Sequence, residues 1–594
     1  MFPILAPPPA VQEAVVTAAR LPAPLSLVPD AQVITADDIA LHQSVFAFDA
    51  LAALPGVQIS RAGAFGGVAT VRLRGASSDK TLVLIDGAPV NDPTSPAGGF
   101  DFSGLDLANV ERIEVLSGPQ GSLWGSDAIG GVIAVTTREP DGLRGGGEAG
   151  SFGTRRLTAS AGMAGEHGAL GIGAAWFDTG GISKADSRDG NTERDPFDSL
   201  TLQANGRVNP AGGLSLDGKV RYTLAHTAFD SFGGPTGVMD GPDSQTGRTV
   251  SGFLRAQLMG PFGVKQTLRL DGMDLDRAST SYFGGAAFPF EARGRRLDWR
   301  WTAERAGPGP SAVLVGVEEE RAREDTGDGV QTSRNLGAFA VWRVDPSPRL
   351  SATLSARRDA PRDYAGVTTL RAAASVGLGG GVTVQGSWGQ GFKAPSIFQT
   401  SYPCFECAPP GPAIGLRPEH AAGEDLALLW RSADGRIEAR LAAYRLSVRD
   451  QIDYLYPQGY VNLVRTRTEG LEAEVKADLG GGWAIKAAYA YADARDLSTG
   501  APLIRVAAHA GSAELDWRGA RADAALTLRV RGRAADTFGE IKPFAVANLA
   551  GSYEVRRGLR LTARIENLTG VRYQEAFGYG EPGFAVYAGF RLGD

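Results

Sequence analysis

The chain has 594 residues with 43% hydrophobic and 21% charged side chains, 80 glycines, two cysteines and a net charge of −6. The apolar content excludes a disordered chain, the two cysteines exclude a disulfide-stapled scaffold or a cysteine-rich zinc framework, and the absence of a basic stripe argues against a nucleic-acid partner. Mean hydropathy is −0.11 and no apolar run approaches the ~18 residues of a spanning helix, so any passage through a membrane must use strands, whose lipid face is spread over alternate residues.

In chain order, residues 1–30 are Pro/Ala-rich, without periodicity, and are expected to form a mobile N-terminal segment. Met1–Ala10 lacks a positive start and is broken by prolines, so it does not read as a signal peptide. From Ala31 to about Pro140 the pattern is compact and mixed. A short helix is predicted from Thr35, with Asp37 and Asp38 in its first turn. A second covers about Val45–Leu54 and stops at Pro55-Gly56. Strand-like runs follow at Ala69–Arg74, Thr81–Asp86, Val110–Leu116 and Val132–Thr137. Up to Pro140 there are 7 basic and 14 acidic residues, against 53 and 52 in the remainder.

Beyond Arg144 the period becomes two and stays so for about 450 residues. Ser215–Leu224 sets Leu216, Val220, Tyr222 and Leu224 against Asp217, Lys219 and Arg221. Lys265–Met273, Arg436–Leu446, Gly470–Ala477, Ala525–Arg533 and Leu559–Leu568 alternate in the same way. A single such strand would suit a soluble sandwich. Repetition over this length, with no helical interlude, predicts a transmembrane barrel with a wet lumen. Trp388, Phe392, Tyr489, Tyr491 and Tyr587 stand where interfacial girdles would lie. The segments Asp178–Leu200, His226–Val250, Ser279–Gly294 and Pro395–Pro418 read as long outer loops, with short turns between strands on the other side.

No G-x-S-x-G, P-loop or H-E-x-x-H motif occurs, and no catalytic residues are assigned. The G-x-G-x-x-G forms at Gly145–Gly150 and Gly578–Gly583 open no helix and read as turn glycines. The five histidines (42, 167, 226, 420 and 509) suggest no cluster. Cys404 and Cys407 share one long loop, where a local disulfide is expected of an exported protein. Asp186, Asp189, Asp195 and Asp198 crowd one loop and Asp230 lies in the next. They are either a solvated acidic surface or oxygen ligands for a hard cation such as calcium, which takes about six to eight.

Several ordered segments are recognisable. LPGVQI (54–59), VRLRGASSDKTLVLIDGAPVND (71–92) and ANVERIEVLSGPQGSLWGSDAIGGVIAV (108–135) resemble the plug of the TonB-dependent outer-membrane receptors. FKAPSIFQ (392–399), LRPEH (416–420), RTRTEGLEAEV (465–475) and ARIENLTGVRY (563–573) resemble their barrel. Within the family, the length, VVTAAR (15–20), GSDAIGGV and RDQIDY (449–454) look most like the cobalamin transporter.

The resemblance implies an all-β fold: a 22-stranded antiparallel transmembrane barrel over residues 144–594, with a mixed α/β plug, residues 31–140, inside the lumen. About 450 residues over 22 strands is roughly 20 per strand and connection, which is self-consistent. It implies active transport of a large, scarce nutrient across the Gram-negative outer membrane, cobalamin first and a ferric siderophore as the alternative. Its partners would be the periplasmic C-terminal domain of TonB and outer-membrane lipid and lipopolysaccharide, and it would not be an enzyme. The TonB box corresponds to Gln12, Glu13, Ala14, Val15, Val16, Thr17 and Ala18. Of the two arginines and two barrel carboxylates that fix the family's plug, Arg74 and Glu472 match, Asp425 stands at the second carboxylate with Glu424 beside it, and Ser117 replaces the second arginine. Arg72 or Arg112 would have to substitute, or one carboxylate stay neutral. No cofactor is required. Calcium held by Asp186, Asp189, Asp195, Asp198 and Asp230 is implied by the cobalamin transporter's ordered loops, and Asn91, Asp92 and Phe100 mark a plug apex that would meet cargo. The final strand runs past Phe590, which would serve as its assembly signal, to Gly593-Asp594.

Overall fold

The computed structural model describes residues 15–210, 213–306, 310–327 and 329–593. Twenty-two antiparallel strands, from Gly142–Gly150 to Ala585–Leu592, form one closed barrel. The first strand pairs with the last, Gly147 opposite Phe590, so no edge remains to seek a partner. No described helix is long and apolar enough to cross a membrane; the crossing is made by strands. The predicted alternation is present. In Leu214–Phe232, Leu216 and Val220 lie 42% and 48% exposed on the outer face. Lys219 turns inward, where its Nζ donates to Asp86 Oδ1 at 3.0 Å and to Thr137 O at 2.8 Å.

Two segments expected as loops are mainly strand. His226–Val250 is spanned by the ends of Leu214–Phe232 and Val238–Met259, and Ser279–Gly294 by Lys265–Phe283 and Ala286–Ala306. A hairpin carries its own hydrogen-bond ladder beyond the lipid, where both faces meet water. Loss of the apolar stripe there marks the end of the membrane, not of the strand. Of the expected girdle, Trp388 and Tyr489 lie outside, 41% and 46% exposed, whereas Phe392 and Tyr587 face inward and are 1% exposed. The Tyr587 ring sits 4.0 Å from the Arg564 guanidinium carbon, a buried stacking contact that outweighs interfacial placement.

Inside the barrel lies a five-stranded mixed sheet in the order Ala31–Thr35, Val110–Ser117, Gly131–Thr137, Thr81–Ile85, Ala88–Pro89, with one parallel pairing that sets Val83 opposite Ile133. Both faces are covered, by Val83, Ile113, Ile133 and Val135 on one side and Leu82, Leu84, Leu116 and Val132 on the other. That is why these strands read as continuous apolar runs rather than alternating ones. The helix predicted from Thr35 spans Ala36–His42; Asp38 N–H donates to Thr35 Oγ1 at 3.2 Å and Thr35 N–H to the Asp38 carboxylate at 2.9 Å, a reciprocal cap. The second helix is shorter than predicted, Ala47–Leu51.

Candidate functional site

Several ion pairs join plug to wall, Lys80–Glu419, Lys219–Asp86 and Arg61–Glu575 among them, and one cluster is centred on Arg74. Strand Ala69–Leu73 ends at Arg74, held at φ 51°, which aims the guanidinium at the wall. Arg74 is 2% exposed. Its Nε donates to Glu472 Oε1 at 2.9 Å, Nη2 to Glu472 Oε2 at 3.1 Å and to Asp30 Oδ1 at 3.0 Å, and Nη1 to Asp425. Its charge also lies 4.4 Å from the Tyr444 ring centroid. Three carboxylates around one cation would be costly in a buried site. The wall supplies the balance: Arg440 Nη2 donates to Asp30 Oδ1 at 2.9 Å and Nη1 to Glu472 Oε2 at 3.2 Å, with Arg371 in electrostatic reach.

The second arginine therefore comes from the barrel and not from Arg72 or Arg112. Arg112 is occupied by Glu114, Nε to Oε1 at 2.7 Å, and Arg72 makes no ion pair among the described residues. Glu424 is corrected as well. Pleat alternation turns it to the exposed outer face, while Asp425 points inward. Sequence reasoning missed Asp30 and Arg440, because neither stands in a motif and their proximity arises from cross-strand register.

Of the expected TonB box, Gln12, Glu13 and Ala14 lie outside the described residues. The rest of the N-terminal segment, expected to be mobile, is packed. Val15–Val16 pairs with Ala23–Pro24, and Val16 and Ala18 are 0% and 3% exposed against the plug sheet. Thr17 and Ala18 N–H both donate to Glu114 Oε2 at 2.8 Å. The fully buried Glu114 carboxylate, already bonded to Arg112, accepts these two amides as charge-assisted bonds, which ties the chain to the plug. Arg20 then bonds Glu318 of the wall at 3.0 Å and stacks over Trp124 and Phe339.

At the outer mouth, Asn91 is turned into the plug: its Oδ1 accepts from Val83 N–H at 2.8 Å and its amide donates to Thr81 O at 3.1 Å. Asp92 is held by Arg277 at 3.0 Å and Phe100 packs edge-on to Phe102. These three residues shape the apex, and its outward surface is left to the intervening turn, 93–99. The long loop 394–418 folds over that turn. Ser396 caps the helix Ile397–Ser401 and donates to Pro96 O at 2.7 Å. The disulfide expected between Cys404 and Cys407 is present. Beside it Phe398, Tyr402, Tyr454 and Tyr460 interlock, with centroids 5.3 Å apart for Phe398–Tyr402 and for Tyr454–Tyr460.

The acidic residues divide. Asp186 is satisfied by Arg188 and by Gln574 Nε2 at 2.6 Å, Asp189 is exposed, and Asp198 lies on the outer barrel face paired with His226 at 3.0 Å. Asp195 and Asp230 do converge, joined by Glu193 with carboxylate oxygens within 4.8 Å of one another. Asp240, from the strand Val238–Met259, shares the Ser183 hydroxyl with Asp230 at 3.0 and 3.2 Å. Burial, and next the shared Asp230, push the Glu193 carboxyl up to about 7; burial pushes Asp195 up to about 6. Hard oxygen donors crowded between the loop 180–196 and the outer ends of the strands Leu214–Phe232 and Val238–Met259 fit a calcium ion. Glu193 and Asp240 were missed because the sequence shows which residues are acidic and not which loops meet.

Comparison with known proteins gives a consistent frame. A family model described as "TonB dependent receptor-like, beta-barrel" matches residues 135–568, and one described as "TonB-dependent Receptor Plug Domain" matches residues 25–132. Among solved structures, the siderophore receptor PirA of Acinetobacter baumannii superposes with a TM-score of 0.80 at 15% identity, over 95% of this chain and 98% of that one. A mutant of the ferric enterobactin receptor PfeA of Pseudomonas aeruginosa gives 0.81 at 17% identity, over 98% and 100%. The ferric-catecholate import receptor Fiu of Escherichia coli K12 gives 0.77 at 15%, over 96% and 97%. At such identities the likeness is one of fold.

Proposed function

Because the chain belongs to the TonB-dependent receptors, transport proteins of the Gram-negative outer membrane, we propose that its cargo is a ferric siderophore bound at the outer mouth. The observation that carries this is the ring cluster of Phe398, Tyr402, Tyr454 and Tyr460, tied through Ser396 to the plug apex. Flat aromatic groups of an iron chelate would stack on such a platform, at about 0.5–1.5 kcal/mol per ring pair beyond area burial. The solved relatives named for siderophores support the same substrate class. A plugged lumen suits a large, rare ligand rather than solutes that diffuse through open pores.

Cobalamin is the second reading. The convergence of Asp195 and Asp230 supports it, since the family resemblance ties calcium-ordered loops to cobalamin transport. On either reading Glu193, Asp195, Asp230 and Asp240 would hold the calcium and supply hard anionic oxygen, fixing the loop 180–196 against the hairpin of Leu214–Phe232 and Val238–Met259. Gln12–Ala18 would serve as the TonB box. Once freed from Glu114, an extended β-branched segment can add a strand to an exposed sheet edge of TonB, and a pull there would be resisted by the Arg74 cluster.

The test is direct binding to purified, detergent-solubilised protein, comparing a panel of ferric catecholates and hydroxamates with cyanocobalamin, in calcium and in chelator. Saturable siderophore binding weakened by Tyr454→Ala and Tyr460→Ala is expected. Tight cyanocobalamin binding that chelator weakens, with no siderophore response, would overturn the first reading in favour of the second.

A further inference from the structure

Between the plug helices and the inner wall lies a cavity of about 570 Å³, reaching the periplasmic turns at Gly435, Gly482 and Arg518. On its wall stand three side chains that nothing in the transport reading uses. His42 closes the helix Ala36–His42 of the plug. Glu514 and Asp516 are two residues apart on the wall strand His509–Arg518, so both project from its inner face. His42 Nε2 lies 3.0 Å from Asp516 Oδ1, and all three residues offer a ligand atom within 4.8 Å of the others.

We propose that His42, Glu514 and Asp516 form a binding site for a first-row divalent metal ion of the zinc or cobalt type, which staples the plug to the wall at the periplasmic end of this cavity. The donor set is one imidazole and two carboxylates, a combination that suits borderline metals and not calcium, which prefers oxygen throughout. Metal–nitrogen and metal–oxygen bonds of about 2.0–2.2 Å set ligand atoms of a tetrahedral site roughly 3.4 Å apart. A separation of 3.0 Å needs only a few tenths of an ångström of opening, with the metal taking the place of the proton between imidazole and carboxylate.

Glu514 is the independent sign of a missing ligand. It is 6% exposed, accepts no hydrogen bond among the described residues, and touches a cation only at 4.0 Å, Lys486 Nζ. A buried carboxylate normally has at least one hydrogen-bond partner. This one instead faces the same cavity as His42 and Asp516. A divalent ion would bond it directly and outcompete the distant ammonium, and the cavity would supply water to the open coordination position. Two of the three ligands come from the wall and one from the plug, so occupancy couples the two domains. The proposal is independent of the cargo.

The test uses the full-length protein in detergent, stripped with chelator and then held in excess calcium to occupy the acidic loops. Co²⁺ is titrated and followed by its ligand-field absorption, and Cu²⁺ by the nitrogen coupling of its electron paramagnetic resonance spectrum. One equivalent of Co²⁺ is expected, displaced by Zn²⁺, with affinity lowered at least tenfold in His42→Gln and in Glu514→Gln and unchanged in Asp195→Asn. Heat-modifiable migration checks that each variant is folded. Should His42→Gln fail to fold, the wall variant and the nitrogen coupling in the unmodified protein still decide. Equal Co²⁺ affinity in the folded variants, or a copper spectrum without nitrogen coupling, would overturn the site.

Discussion

At the scale of single residues, charge placed where water cannot reach governs the protein. Arg74 alone links Asp30, Asp425 and Glu472. Its replacement by alanine takes from Asp425 its ion-pair partner and leaves Asp30 and Glu472 to Arg440, a loss on the order of 3–5 kcal/mol. Arg74→Ala should therefore release the plug at lower urea, read by a fluorophore at the plug–wall seam. Arg440→Gln leaves Arg74 in place and should shift the transition less. Equal midpoints for unmodified protein and Arg74→Ala would show that the Arg74 cluster does not hold the plug. Arg74, Glu472 and Asp425 could be picked out in the sequence because short motifs carry them. Arg440 could not, because its role depends on which residue the neighbouring strand sets beside it. The Glu424–Asp425 pair makes the same point: adjacent carboxylates, of which the pleat sends one to each face.

At the scale of elements, the polar segments divide into those that remain ladders and those that become loops. His226–Val250 and Ser279–Gly294 keep their backbone hydrogen bonds within hairpins, whereas 180–196 and 394–418 leave the sheet and acquire side-chain ties instead. The cluster on 180–196 carries a pH dependence of definite sign. Glu193, ordinarily 4.5, is raised to about 7 and Asp195, ordinarily 3.8, to about 6. The folded loop thus binds more protons than the unfolded one between about pH 4 and 7. Without metal, its stability is greatest below that window and is lost as pH rises through it. Calcium reverses the trend, since the ion replaces those protons. Calorimetric calcium affinity should climb from about pH 5 to pH 8, and a flat profile would remove these carboxylates from the ligand set. The N-terminal segment is tied at Glu114 as well as by Val16 burial and Arg20: Glu114→Gln weakens the bonds to Thr17 and Ala18 N–H, about 1.5–3 kcal/mol for charged acceptors. Spin labels at Val15 should then gain mobility, and an unchanged spectrum would mean that Val16 burial and the Arg20 and Trp124 contacts hold the segment without Glu114.

At the scale of the whole molecule, a closed 22-stranded cylinder would be an open channel if its plug were absent. Intact protein in a planar bilayer should pass no steady current, while removal of residues 15–138 should leave a large, unselective pore. A steady conductance from intact protein would show that the plug does not seal the lumen. The architecture was readable from sequence because its signals are local and repeated: period two wherever one face meets lipid, continuous apolar runs such as TLVLI where a sheet is covered on both faces, and a Thr35–Asp38 cap that needs no distant partner. The tertiary structure alone decided what depends on meetings between remote segments. It set Arg440 beside Asp30, His42 beside Glu514 and Asp516, Glu193 beside Asp230, and the N-terminal amides on Glu114. A pattern along the chain reports which face of an element is apolar, and that follows from one strand or helix by itself. Which charges become partners follows from register and closure of the barrel around its plug, which hundreds of residues determine together.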